Sequence, residues 1–269
     1  MNKKHLIEFL KTTGIQELRT FDSIGSTNDE ALDWIDQGAP DFALVIADHQ
    51  TKGRGRFDRR WITEPGSSLA FSLILIPTIQ EKTNLPLFAP LCGLAIHDAF
   101  LSLLHLDSEI KWPNDILIDG KKCSGILVEA AWMDNEINGI VLGIGINISA
   151  ESVPPLDLQL FPPTCLENRF KNPIDRYQVL QEVLKFIQIW RPLIGSKRFF
   201  SEWQRHLAFK NQNVMIMHSK KQSIIGIEKG IDEQGRLVLI LEENQERAFE
   251  VGDVHLRPAD QSLIGGKHA

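Results

Sequence analysis

Short apolar runs of strand length recur along the first part of the chain. They are Phe42–Ala47 (FALVIA), Ser68–Ile76 (SLAFSLILI, closed by Pro77), Gly125–Ala131 (GILVEAA) and Ile137–Ile148 (INGIVLGIGINI). Runs this short, aliphatic and bounded by turn formers predict buried strands. Residues 87–106 place Leu and Ala at helical spacing and predict a long apolar helix; 4–11, 175–190 and 197–208 predict further helices. A helix over 26–37 is punctuated at both ends, with Ser26 as N-cap, Asp29 as its capping-box partner and Gly38 as the stop. Glu109–Lys111 and Asp115–Ile118 read as short strands broken by Trp112-Pro113-Asn114, and Asp119-Gly120 is a tight hairpin turn.

The pattern changes near residue 210. Val214–Met217, Gln222–Lys229, Arg236–Glu242 and Ala248–Val251 predict short strands joined by polar turns such as Asp232–Gly235, with no helix among them. The expected organisation is an α+β domain over residues 1–210, a mixed β-sheet with helices, followed by a small β-barrel module over 211–269.

Composition narrows the function classes. A net charge of −6 over 269 residues argues against general affinity for a nucleic-acid duplex. No run of about 18 apolar residues spans a membrane, and Glu8 and Lys11 interrupt any leader-like start, so a cytoplasmic protein without membrane association is expected. Cys92, Cys123 and Cys165 form no CxxC pair and the eight histidines are scattered, so neither a disulfide framework nor a metal centre is predicted.

Against that acidic background, residues 52–61 read KGRGRFDRRW, five cations and two glycines in ten positions. Such a loop repels itself unless an anion or solvent offsets it. Arginine grips carboxylate or phosphate oxygens with a planar fork, and Gly53 and Gly55 are expected to let the backbone turn through positive φ around the anion. A solvated basic loop is the plainer alternative.

Three further clusters set polar groups where a core would be apolar. Gly25-Ser26-Thr27-Asn28 is a helix cap that also presents N–H groups and hydroxyls to a small polar ligand. Lys111-Trp112-Pro113-Asn114-Asp115 pairs across the Asp119-Gly120 turn with Lys121–Gly125, mounting ammonium, amide and carboxylate on one face. There Asp115 either holds Mg²⁺ or fixes a lysine, unless the segment is a surface hairpin of alternating charge. Gly143-Ile144-Gly145-Ile146-Asn147 lacks the third glycine and following helix of a dinucleotide fingerprint; strand glycines mark close approach by a neighbour, and Asn147 is placed to bond a base or phosphate.

Taken as a set, STN at 26–28, QTKGRGR at 50–56, KWPND at 111–115, KxxGILVE at 122–129 and GIGIN at 143–147 resemble a biotin protein ligase (biotin–[acetyl-CoA-carboxylase] ligase) along nearly the whole chain. The resemblance implies a catalytic domain of the class II aminoacyl-tRNA synthetase/biotin ligase type and an SH3-like C-terminal barrel. It implies that biotin and MgATP form biotinyl-5′-AMP, and that biotin then passes to one lysine of a biotin carboxyl carrier protein.

By matching motifs, Ser26, Thr27, Asn28, Gln50, Arg54, Gly55, Arg56 and Lys122 resemble the biotin-contacting set. Arg56, Arg59, Trp61, Lys111, Asn114, Asp115, Lys122 and Asn147 resemble the ATP side, with Lys122 and Arg56 as the catalytic pair. Relatives with an N-terminal winged helix repress genes; the stretch before Ser26 is too short for that module, so a single-function ligase without DNA binding, monomeric or homodimeric, is expected. Phe57-Asp58 departs from the small or basic residues common among relatives. A lipoate or octanoyl transferase is the nearest rival, disfavoured by GRGR together with KWPND. An arginine-rich RNA-binding arm is another, disfavoured by net charge and by the lack of aromatics beyond Phe57 and Trp61.

Overall fold

The computed structural model describes residues 11–57, 59–154, 161–218, 223–250 and 254–259. Most of the helix expected over 4–11, Asp58, and the ends of two C-terminal strands (Gln222 and Val251) lie outside them.

Seven strands form the main sheet: β1 (Leu18–Ile24), β2 (Ala43–Gln50), β3 (Ser68–Leu75), β4 (Glu109–Lys111), β5 (Asp115–Ile118), β6 (Lys121–Met133) and β7 (Glu136–Asn147). Their order is β1-β2-β3-β7-β6-β5-β4. β1 and β2 run parallel and the other neighbours antiparallel. The helices are α1 (Thr27–Asp36), α2 (Ile79–Lys82), α3 (Phe88–Leu104), α4 (Arg176–Trp190) and α5 (Lys197–Arg205).

The continuous apolar run of β3 is explained by two covered faces, since every residue from Ser68 to Leu75 is buried. Leu44, Ile46, Leu69, Phe71 and Leu73 pack with α3 and α4, whereas Ala43, Val45 and Ile74 join Ala31, Trp34 and Ile35 of α1 on the other side. The long hydrophobic stretch of α3 is core: Leu91, Leu94, Ala95, Ile96 and Phe100 are all essentially inaccessible.

Several local expectations change on inspection. The Ser26 hydroxyl caps α1 by accepting from Asp29 N, and Gly38 closes it at φ +85°. Asp29 does not complete a capping box; its carboxylate pairs with Arg54 at 2.7 Å instead. β1 escaped the sequence pattern because LRTFDSI mixes charge with apolar residues on a half-exposed edge. Asp119 and Gly120 take φ +50° and +68°, the left-handed pair that closes the β5–β6 hairpin. The histidines are less scattered than their spacing implies: His97 and His206 bring their ring centroids to 3.7 Å beside Asp107.

The C-terminal strands β8 (Asn213–His218), β9 (Ser223–Ile231), β10 (Leu237–Ile240), β11 (Glu246–Phe249) and β12 (Val254–Pro258) form an antiparallel, SH3-like sheet in the order β11-β10-β9-β8-β12. β12 was not anticipated. This sheet shares its core with the larger one, because Val214, Ile216, Leu237 and Leu239 join the cluster that holds Trp112 and Trp203. Trp112 is fully buried and its indole N–H donates to the Gly235 carbonyl at 3.1 Å. Gly235 permits this approach: a Cβ there would lie 2.9 Å from Leu87 and 3.0 Å from Trp203.

Candidate active site

One cavity of about 610 Å³ gathers all fourteen residues singled out from the sequence: Ser26, Thr27, Asn28, Gln50, Arg54, Gly55, Arg56, Arg59, Trp61, Lys111, Asn114, Asp115, Lys122 and Asn147. Phe71, Ile126, Leu127 and Ile144 supply apolar wall, and Leu256 reaches in from the C-terminal sheet.

The basic loop is a small hairpin. Gly55 N–H donates to Arg59 O at 2.7 Å, Trp61 N–H to Gly53 O at 2.9 Å, and Arg54 pairs antiparallel with Arg60. Its glycines act differently from the expectation. Neither Gly53 nor Gly55 takes a positive φ; that conformation falls to Phe57 at the tip. Gly53 is required by proximity, since a Cβ would stand 2.3 Å from the Trp61 carbonyl oxygen. At Gly55 the nearest atom would be 3.5 Å away, an ordinary contact.

The GIGIN glycines make floor space. A Cβ at Gly143 would lie 2.1 Å from Asn28 Oδ1, and one at Gly145 2.3 Å from the Trp61 ring. Above them sits a buried polar network. Gln50 Oε1 accepts from Thr27 N at 2.8 Å and from Thr27 Oγ1 at 3.0 Å. Asn28 Nδ2 donates to Glu129 Oε2 at 2.7 Å. Ser72 Oγ, with one proton to give, lies 2.6 Å from Asn28 Oδ1 and 2.8 Å from Thr27 Oγ1. Ser72 and Glu129, which bond the lining residues Thr27, Asn28 and Arg54 without lining the cavity themselves, were not singled out, although Ser72 is a hydroxyl inside an apolar run and Glu129 closes the KxxGILVE motif.

The same cavity is lined by an ionic chain. Asp115 holds Lys111 Nζ at 2.8 Å on one oxygen and Lys122 Nζ at 2.6 Å on the other. Burial alone would push the Asp115 carboxyl up; the two ammonium groups outweigh it and hold the group well below the usual carboxylate range. Burial also lowers Lys111, against the pull of Asp115. Each Asp115 oxygen is thus engaged by an ammonium.

Arg56 Nη1 donates to Asn114 Oδ1 at 3.2 Å, and Asn114 is itself anchored to the Ile126 carbonyl at 2.6 Å. Asn147 Nδ2 donates to Thr164 O at 2.9 Å, tying the 161–164 segment over the cavity. Arg54 is committed within the protein, to Glu129 through two bonds of 2.9 and 2.7 Å and to Asp29. Lys122 lies over the Trp61 ring at 5.8 Å, and the Trp61 indole N–H has no acceptor among the described residues.

Arg54, Arg56, Arg59, Arg60, Lys111 and Lys122 line the cavity with a single carboxylate, Asp115, on a molecule whose net charge is −6. Such a wall suits a polyanion. The floor of Thr27, Asn28 and Gln50 with its apolar surround suits a small ring that both donates and accepts hydrogen bonds and carries an apolar chain. Cys92, Cys123 and Cys165 are buried outside this lining, and burial pushes the Cys92 and Cys123 thiols up, away from nucleophilic use.

Residues 20–147 match the model of the biotin/lipoate A/B protein ligase family, and residues 211–257 that of the biotin protein ligase C-terminal domain. The chain is 33% identical over 245 residues to the bifunctional ligase/repressor BirA of Bacillus spizizenii, covering 90% of this chain and 74% of that protein. It is 31% identical over 241 residues to the biotin–[acetyl-CoA-carboxylase] ligase of Mycobacterium tuberculosis, with 84% of each covered. Among solved structures, the biotin protein ligase of Aquifex aeolicus in complex with biotin and ATP superposes with a TM-score of 0.79 at 27% identity, over 91% of this chain and 100% of that one.

Proposed function

The chain belongs to the biotin protein ligase family, and we propose that this cavity brings the biotin carboxylate and the α-phosphate of ATP together for direct attack. The observation that carries this reading is the meeting, in the lining of one cavity, of six cations with a buried hydrogen-bonding floor.

Both reactants are anions. Two unit charges 4 Å apart repel by about 4 kcal/mol at an effective dielectric of 20, and a triphosphate multiplies that. Lys122 and Arg56 flank the carboxylate and α-phosphate in this scheme; Lys111 and Arg59 face the remaining phosphates. A carboxylate oxygen of biotin forms the new bond to phosphorus and pyrophosphate departs, so the protein need supply no nucleophile. The lysine amine of the acceptor then attacks the acyl carbon and AMP leaves. Mg²⁺ fits as a companion of the ATP phosphates; the donor set here is ammonium and guanidinium with one engaged carboxylate, which suits phosphate oxygens better than a bare cation. The acceptor in this reading is a biotin carboxyl carrier protein.

The floor discriminates between acyl groups. A ureido ring brings N–H and C=O groups that can bond to the Thr27, Asn28 and Gln50 side chains of the floor, whereas a dithiolane ring has neither group to offer them. Sites built on buried hydrogen bonds reject analogues that lack them by about 10⁴-fold. Lipoate is therefore expected to be activated at least about a thousandfold more slowly than biotin in a pyrophosphate-release assay; equal rates would overturn the biotin assignment. Gly143→Ala should drive the new methyl into Asn28 and raise KM for biotin by about a hundredfold with KM for ATP little changed. Unchanged biotin titrations of that variant would detach the floor from biotin.

A further inference from the structure

Glu228 lies outside every motif discussed so far. It sits on β9 of the C-terminal sheet, wholly inaccessible to solvent, and neither carboxyl oxygen has a hydrogen-bond partner among the described residues. Its backbone is fixed: Glu228 N–H donates to Gln212 O at 3.0 Å and its carbonyl accepts from Asn211 N at 2.7 Å. The β9–β10 register slips beside it, so that Leu239 pairs with Glu228 and Val238 with Gly230. Lys229 is the residue left over. Its side chain runs out to Glu246 while Glu228 points inside, as the alternation of β9 dictates with Gly226 and Gly230 buried on the same face. The charged groups that act on Glu228 are Lys111 and Glu109, both from β4 across the seam between the two sheets.

We propose that Glu228 is a positioning residue for the nucleotide step: a carboxyl delivered across the seam whose charge decides how freely Lys111 faces the triphosphate. The proposal rests on the placement of Lys111 on the nucleotide side. Burial of a carboxyl without partners favours its neutral form and pushes Glu228 up to about 8, against the opposing pull of Lys111. While neutral, it leaves Asp115 as the bonded carboxylate partner of the Lys111 ammonium. Once ionised, it sets a second anion beside that ammonium and adds negative charge next to an incoming polyphosphate.

The sign follows from linkage. A bound triphosphate disfavours the anionic form of Glu228, so ATP binding near pH 8 favours proton uptake, and raising the pH through that range weakens ATP binding. In the wild type, KM for ATP is expected to rise about tenfold between pH 7 and pH 9 while KM for biotin stays level. Glu228→Gln, neutral at every pH, should match wild type at pH 7 and hold a flat profile to pH 9. Binding of MgATP without biotin at pH 8, measured calorimetrically in two buffers of different ionisation enthalpy, should show proton uptake in wild type and none in the variant.

If Glu228→Gln keeps the wild-type slope or the wild-type uptake, the slope belongs to Lys111 itself and the proposal fails. Should Glu228→Gln not fold, Glu228→Met, of similar volume, carries the same expectation and the same refutation. Failure of the wild type to bind ATP at all would instead sink the nucleotide reading of the cavity, which is a separate outcome.

Discussion

Lys122→Ala is expected to lower biotin-dependent pyrophosphate release by about a thousandfold, the scale seen when one preorganised charge is removed from a developing oxyanion. The reason is positional. Lys122 is held at 2.6 Å by Asp115 and stands over the Trp61 ring in the lining of the cavity. Removing one partner from a buried ion pair usually destabilises by about 3–5 kcal/mol because the other charge is left bare. Here Asp115 keeps Lys111 at 2.8 Å, so the loss of stability should stay below that range and the variant should fold. Denaturant unfolding and a coupled pyrophosphate assay on the same preparation separate the two effects. A folded variant that releases pyrophosphate at the wild-type rate removes Lys122 from the chemistry.

Arg56→Gly acts later in the cycle. The guanidinium reaches Asn114 Oδ1 at 3.2 Å and thereby ties the hairpin loop to the 111–115 segment across the mouth of the cavity. Hydrogen bonds to charged groups contribute about 1.5–3 kcal/mol, so the variant should release biotinyl-AMP roughly ten- to hundredfold faster. Freed adenylate would then acylate lysines of bystander proteins. Rapid filtration of preformed adenylate and a biotin blot of added albumin report the two consequences. Retention equal to wild type would show that the loop does not clamp the intermediate.

The chemistry was legible before the fold was. Charges and amides inside apolar runs, as in KWPND, or packed together against the sign of the whole chain, as in KGRGRFDRRW, are local anomalies that a core or a surface does not require. The structure gathers those residues around one cavity. The hidden parts depend on pairing across the chain. β1 is an edge strand whose burial comes from a partner some twenty-five positions away, as Leu18 against Leu44 shows. Ser72 comes to support the floor only when β3 lies beside β7 and α1 delivers Asn28 onto it. Glu228 turns inward with the ordinary alternation of β9, between Gly226 and Gly230, but that this inner face meets β4 across a seam is not visible in the sequence.

The glycines teach the same lesson from the other side. GRGR suggested backbone freedom, yet Gly53, Gly143 and Gly145 are there because a carbonyl, an amide and an indole occupy the space of a Cβ. Which of these two needs a glycine meets depends on its neighbours in space, and these are not visible in a single sequence.

Biotin labelled with ¹⁸O in its carboxylate offers the most direct test of the central claim, that the substrate's own carboxylate attacks the α-phosphate within this cavity. After complete turnover with ATP and acceptor protein, mass spectrometry should find one ¹⁸O in AMP and none in pyrophosphate. Unlabelled AMP, or label in pyrophosphate, would contradict it.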